Sequence, residues 1–190
     1  MPLTAKIWRY AKRALRCSRA VVALGPMAAR RLIECGPGMS AAITAGSRLE
    51  ISSRVSFGER CGISVASMPG QAPALLSIGQ RTSFQSGLSL NCAERVTIGA
   101  DCAISWDVHI LDTDFHQIIH LGGVKRPKCA PISIGDRVWI GSRVTVLKGV
   151  SIGSDSMIAA GSIVTRSFPP RSLIAGNPAR LVREIEGWHL

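Results

Sequence analysis

Ile134-Gly135-Asp136-Arg137-Val138-Trp139-Ile140-Gly141-Ser142-Arg143-Val144-Thr145-Val146 opens a run in which one branched aliphatic returns every six residues: Ile134, Ile140, Val146, Ile152, Ile158 and Val164. Gly, Leu or Ala follows most of them (Gly135, Gly141, Leu147, Gly153, Ala159), and a small or β-branched residue sits four places on (Val138, Val144, Val150, Ser156, Ser162). An amphipathic helix repeats its apolar positions every 3.6 residues and a half-buried strand every two, so period six is neither. It fits a parallel β-helix, in which each hexad is one short strand plus a corner. The large aliphatic fills the bore, and the smaller residue turns inward near the corner, where there is less room. An ordinary β-sandwich, the competing all-β reading, shows period two instead.

The same phase extends upstream through Ile98, Ile104 and Ile110, through Ile78, Phe84 and Leu90, and through Ile51, Phe57 and Ile63, with Ala45 as its earliest candidate position. Leu90 to Ile98 is eight residues, which places a two-residue bulge near Glu94-Arg95. Larger insertions interrupt the count at residues 65–76 and 112–131. Three hexads per turn give about five coils, stacked at ~4.8 Å into an all-β solenoid of roughly 24 Å.

Charge is distributed unevenly over the 190 residues. Lys plus Arg is 23 and Asp plus Glu is 12, for a net +11, yet +8 of it falls before the first acidic residue, Glu34. The body is therefore close to neutral, and the basic composition describes an arm rather than a nucleic-acid-binding surface. On a helical wheel at ~100° per residue, Lys6, Arg9, Lys12, Arg13, Arg16 and Arg19 share one arc of about 140°, opposite Ile7, Trp8, Tyr10, Leu15 and Val22. That pattern predicts a basic amphipathic helix, which can cap the open end of a solenoid or rest on an anionic membrane surface. The longest apolar stretch, Ala20 to Ala29, is broken by Gly25-Pro26 and is too short to span a bilayer. No apolar signal-peptide centre opens the chain, and the six cysteines form no C-x-x-C pair, so reduced thiols and a cytoplasmic location, at most peripheral at the inner face of the membrane, are expected.

The resulting organisation is an N-terminal arm over residues 1–36, a β-helix over 37–176 with the insertion 112–131, and a C-terminal cap over 177–190. Pro169-Pro170 is expected to stop the repeat, Gly176-Asn177-Pro178 to make a turn, and Ala179 to Gly187 to form a short helix.

Three stretches carry a family resemblance: Ile98 to Val108 leading into Leu111-Asp112-Thr113-Asp114-Phe115-His116, Pro131 to Gly141, and Ala160 to Thr165 with Ala175-Gly176-Asn177-Pro178-Ala179-Arg180. In these the chain resembles the hexapeptide-repeat acyltransferases, whose coils form a left-handed β-helix. It is most similar to the galactoside, maltose and capsular or colanic-acid O-acetyltransferases. The resemblance implies acetyl-CoA as co-substrate, no metal, and a homotrimer with sites between subunits.

It also implies site residues. His116 takes the place of the catalytic histidine, a general base suited to removing a hydroxyl proton because imidazole titrates at about 6.5. Asp112 and Asp114 flank it, and either can orient the ring; Asp114 is preferred. Ser142, Ala160 and Thr165 fall where pantetheine binds, Arg166, Arg180 and Arg183 where nucleotide phosphates are met, and Trp139 is an outward-facing wall. At the acceptor position Gln85, with Ser86 beside it, stands where galactoside-type relatives have asparagine. The Trp106-Asp107 pair looks more like the polysaccharide-operon members, which points to a sugar hydroxyl on a surface-polysaccharide or glycolipid precursor. N-acetylation of an amino sugar or antibiotic is the alternative within acyl transfer. On the same architecture, His109, His116 and His120 suggest a zinc site of the carbonic anhydrase type, though their spacing does not match that family, and a non-catalytic scaffold is the remaining alternative.

Overall fold

The computed structural model describes residues 34–189, so the basic amphipathic helix expected in the N-terminal arm lies outside the described residues. Each of the first five described coils contributes one strand to each of three sheets, which are parallel apart from their last pair. The first coil holds β1 (Glu34–Cys35), β2 (Ser40–Ile43) and β3 (Arg48–Ile51), and the second β4 (Ser56–Phe57), β5 (Gly62–Val65) and β6 (Leu75–Ile78). The third holds β7 (Ser83–Phe84), β8 (Ser89–Cys92) and β9 (Arg95–Ile98), and the fourth β10 (Ala103–Ile104), β11 (His109–Leu111) and β12 (Ile132–Ile134). The fifth holds β13 (Trp139–Ile140), β14 (Thr145–Val146) and β15 (Ser151–Ile152). The sixth holds β16 (Met157–Ile158) and β17 (Ile163–Val164) and closes through a bridge between Ile152 and Phe168. Finally β18 (Ser172–Gly176) starts another turn, and β19 (Ala179–Glu184) returns antiparallel along it.

The period-six aliphatics stack in register along the bore: Phe84, Ile104, Ile140, Ile158 and Ile174 succeed one another in the first sheet. All are buried, as are the secondary positions Val138, Val144, Val150, Ser156 and Ser162. The buried hydroxyls are satisfied by the next turn. Ser156 Oγ accepts the Ser172 N–H at 3.1 Å, and Ser162 Oγ accepts that of Gly176 at 3.1 Å while donating to the Ala159 carbonyl at 2.7 Å. Phe57 stacks on Phe84 at 4.8 Å, two aromatic rungs of one ladder.

Glycine after the inward aliphatic has a steric cause. Gly79, Gly99 and Gly135 follow Ile78, Ile98 and Ile134 at one corner, and a Cβ on Gly99 would lie 2.6 Å from the Gly135 carbonyl carbon and oxygen. Coils spaced for strand hydrogen bonds leave no room for a side chain at these three positions.

Four expectations are corrected. Among the described residues the column has six coils rather than five, because the first is built on Cys35 and Ala41, paired with Phe57 and Ile63, and carries no branched aliphatic at either position. Ala45 is an exposed turn residue, not a bore position. Pro169-Pro170 does not end the repeat, since Phe168 and Ile174, six apart, are both buried. The expected C-terminal helix over Ala179 to Gly187 is instead strand β19: it pairs Gly176 with Ala179 and Ser172 with Glu184, and the exposed edge of β18 overrides local helix propensity. The turn at Gly176-Asn177-Pro178 is present between the two strands.

Gly99→Ala is expected to destabilise the protein by about 1–3 kcal/mol through overpacking between coils, measured by urea unfolding. An unchanged midpoint would show that the corner can yield.

Candidate active site

The insertion 112–131 leaves the column between β11 and β12 and is tied closed at its neck. Thr113 bridges Cys129 in antiparallel fashion, the Asp114 N–H donates to the Lys128 carbonyl at 2.9 Å, and the Ala130 N–H donates to the Asp112 carbonyl at 2.9 Å. Further out, Ile119 bridges Lys125 around a short turn at Leu121–Gly123, and Gln117 Nε2 donates to the Arg126 carbonyl at 2.6 Å.

Asp112 anchors this neck to the coil beneath. Its Oδ1 accepts the Ala93 N–H at 2.7 Å, and its Oδ2 accepts those of Glu94 and Arg95, both at 2.8 Å. These amides belong to the tight corner between β8 and β9, the two-residue bulge visible in the sequence spacing. The side chain is fully buried. Burial pushes the carboxyl above the usual carboxylate range, and the three amides pull against that shift. Burial, with the Asp112 charge adding to it, pushes the neighbouring Cys92 thiol up to about 12. Both Asp112 oxygens are thus committed to backbone, and the role of imidazole partner weighed for Asp112 does not fit its contacts.

Asp114 meets a cation instead. Its Oδ2 lies 2.6 Å from Lys148 Nζ, and its backbone carbonyl accepts the His116 N–H at 2.6 Å. Phe115, between them, is held at φ 59° with its N–H on Thr113 Oγ1 at 2.9 Å, a left-handed conformation uncommon for a bulky side chain. His116 is exposed, and among the described residues its imidazole meets no hydrogen-bond partner.

The remaining expected site residues divide between two corners on either side of the second sheet. Ser86, Trp106, Ser142 and Ala160 occupy one corner on four successive coils, linked by backbone bonds from Asp107 to Ser86, Arg143 to Trp106 and Gly161 to Ser142. Gln85 is exposed beside Ser86, whose Oγ accepts the Glu59 N–H at 3.1 Å. Thr165 and Arg166 lie exposed at the other corner, the one from which the insertion springs, with the Arg166 guanidinium 5.4 Å from the Phe168 ring. Arg180 and Arg183 project from β19 at the end of the first sheet, both exposed. Trp139 is outward on β13 but half-covered: Nε1 donates to Ser105 Oγ at 3.3 Å, and Trp188, anchored through its own Nε1 to the Arg137 carbonyl at 2.7 Å, tilts against it at 6.0 Å. One chain therefore does not bring these residues into a single pocket.

Sequence reasoning missed Lys148 and Trp188. Lys148 was detectable: Ile110 pairs with Val146, so extending the register by two residues sets it one coil above Asp112. Trp188 lies beyond the repeat and gave no periodic signal. Among the described residues no group of three His, Cys, Asp or Glu is placed to hold a metal; His109 sits on β11, apart from the insertion carrying His116 and His120. No helix among them is long and apolar enough to cross a membrane.

The repeat and the motifs have known counterparts. Residues 131–166 match the family model for the hexapeptide repeat of succinyl-transferase. The galactoside O-acetyltransferase of Escherichia coli (strain K12) is 56% identical over 111 residues, 58% of this chain and 54% of its own. A Staphylococcus aureus (strain MRSA252) relative named as an acetyltransferase is 52% identical over 59 residues, 31% of this chain and 30% of its own. The chain thus spans about half or less of the curated relatives it matches. Among solved structures, the polySia-specific acetyltransferase NeuO superposes with a TM-score of 0.71 at 29% identity, over 83% of this chain and 71% of that one. A hexapeptide-repeat acetyltransferase of Vibrio cholerae, solved with acetyl coenzyme A, shares the fold at 20% identity and a TM-score of 0.53, over 93% and 85%. The chain is a hexapeptide-repeat β-helix, and the recognised similarity to hexapeptide-repeat O-acetyltransferases holds.

Asp112→Ala would take the acceptor from the buried Ala93 amide and from the part-buried amides of Glu94 and Arg95, and is expected to cost about 2–3 kcal/mol of stability. Thermal and urea unfolding measure it, and a change below 1 kcal/mol, the level of an ordinary neutral hydrogen bond, would contradict the anchoring role.

Proposed function

We propose that this protein is an acetyl-CoA-dependent O-acetyltransferase acting on a sugar hydroxyl, with His116 as general base. The supporting observation is the placement of His116 two residues beyond a neck that is locked to the coil stack. A column with the family's repeat thus presents the motif histidine from a fixed root. In the reaction the imidazole removes the acceptor hydroxyl proton as the oxygen attacks the thioester carbon. The tetrahedral intermediate collapses with cleavage of the carbon–sulfur bond, and the imidazolium returns the proton to the departing coenzyme A thiolate. Asp114 acts beside His116 through the carbonyl that takes its N–H.

Small side chains at Ser142 and Ala160 allow a pantetheine arm to run close along their corner, with Thr165 as a further contact and Trp139 as a wall. Arg166, Arg180 and Arg183 supply cations for its phosphates. The division of these residues between two corners supports a homotrimer of left-handed columns, since a cleft between neighbouring columns joins one corner of each. Gln85 and Ser86 then serve the acceptor. The names of the galactoside and polySia enzymes support a glycan acceptor, and we assign a surface-polysaccharide or glycolipid precursor. The +8 charge before Glu34 suits contact with anionic lipid at the cytoplasmic face.

Transfer of labelled acetyl from acetyl-CoA to methyl β-galactoside, a sialic acid oligomer and glucosamine tests this reading. Acylation of a hydroxyl is expected, with His116→Ala lowering kcat by about 10²–10⁴-fold. Preferred acylation of the free amine, or full activity of the variant, would overturn it.

A further inference from the structure

Lys148 reaches out of the coil stack to both limbs of the insertion. It follows β14, one coil beyond Asp112 in the ladder that pairs Ile110 with Val146. Its Nζ lies 2.6 Å from Asp114 Oδ2 on the outgoing limb, and donates to the Pro127 carbonyl at 2.5 Å and more weakly to that of Lys128 at 3.4 Å on the returning limb. An ammonium has three protons to give, and these acceptors use them. The pair is partly shielded, with side-chain exposures of 22% for Lys148 and 33% for Asp114, so water and salt screen it less than a fully exposed pair. Two other ion pairs occur among the described residues, Arg81–Asp101 and Arg137–Asp155, and each joins one coil corner to the next rather than touching the insertion. The neck is therefore gripped from both directions: Asp112 draws it down onto residues 93–95, and Lys148 fastens its two limbs from above. His116 hangs on this grip directly, because its N–H is bonded to the carbonyl of Asp114, the residue that Lys148 holds.

We propose that Lys148 is a positioning residue for His116, acting through Asp114 and the returning limb to fix where the imidazole stands on the column. This rests on the reading of His116 as general base, and it accounts for the geometry of Asp114 better than a direct contact with the ring. Loosening the clamp lets the histidine wander by an ångström or so without disturbing the coils, which is enough to slow the chemistry while leaving donor binding intact.

The test uses the full chain with acetyl-CoA as donor and methyl β-galactoside and a sialic acid oligomer as acceptor probes, together with amide hydrogen exchange. Lys148→Met and Asp114→Asn are each expected to lower kcat by about 10- to 100-fold with the KM for acetyl-CoA within twofold, and the double variant to be no worse than the more damaged single one. Lys148→Arg should retain most of the activity, since a guanidinium still donates to both limbs. In Lys148→Met, amides of Asp114, His116 and Ala130 should exchange roughly tenfold faster while those of the coils are unchanged. Unaltered exchange at the neck, additive losses in the double variant, or faster exchange throughout the column would overturn the proposal. Should His116→Ala prove fully active, or neither probe be acetylated, the general-base reading would be what falls, and the clamp would be decided by exchange alone.

Discussion

Register between coils is the constraint on which everything else depends. At each corner an N–H donates to a carbonyl one coil below, as Asp107 does to Ser86, Arg143 to Trp106 and Gly161 to Ser142. The coils are thereby held at strand-to-strand spacing, and that spacing decides which residues can occupy the corners. Where backbones approach most closely only glycine fits. Where the chain turns most sharply, arginine and aspartate accept a left-handed backbone at Arg54, Arg81, Asp101, Arg137, Asp155 and Arg171. Two of the resulting neighbours, Arg81 with Asp101 and Arg137 with Asp155, form bidentate ion pairs up one edge of the column. Such exposed pairs add little stability individually.

The same register turns a local insertion into a defined site. A twenty-residue excursion from a solenoid would ordinarily be a mobile loop. Here the ladder places a buried carboxylate and a lysine above one another at its root, and each finds partners on a different coil. The rigid column supplies position, and the insertion supplies the histidine and a set of exposed apolar side chains: Phe115, Ile118, Ile119, Leu121 and Val124. Aliphatic surface of that extent on one short segment is unusual for a lone subunit and agrees with the proposed arrangement in which neighbouring columns share their sites.

The column was legible in the sequence because one physical demand, a large apolar residue per face per coil, recurs without exception from Ile51 onward. Phase, insertion limits at 112–131 and the bulge beside Glu94 all follow from counting. The first described coil escaped the count because Cys35 and Ala41, both only half-buried, stand in the ladder positions that Phe57 and Ile63 hold one coil on. The C-terminal segment was misread for a different reason: Ala179 to Glu184 has helical composition, but an unpaired strand edge lay beside it and paired with it. For the candidate site, residue types and positions came from the motifs, whereas the partners did not. Nothing in the spacing of Asp112 and Asp114 around His116 distinguishes a carboxylate buried on three amides from one facing a lysine.

Donor binding is the most direct test of the account as a whole, because every assigned residue presupposes it. Calorimetric titration of acetyl-CoA into the intact protein, repeated with the Arg180→Ala plus Arg183→Ala variant, measures it without knowledge of the acceptor. Saturable binding that weakens by about tenfold or more in the variant is predicted from the loss of two charge-assisted phosphate contacts. Absence of binding by the folded protein would contradict the assignment of this column as an acetyl-CoA-dependent enzyme.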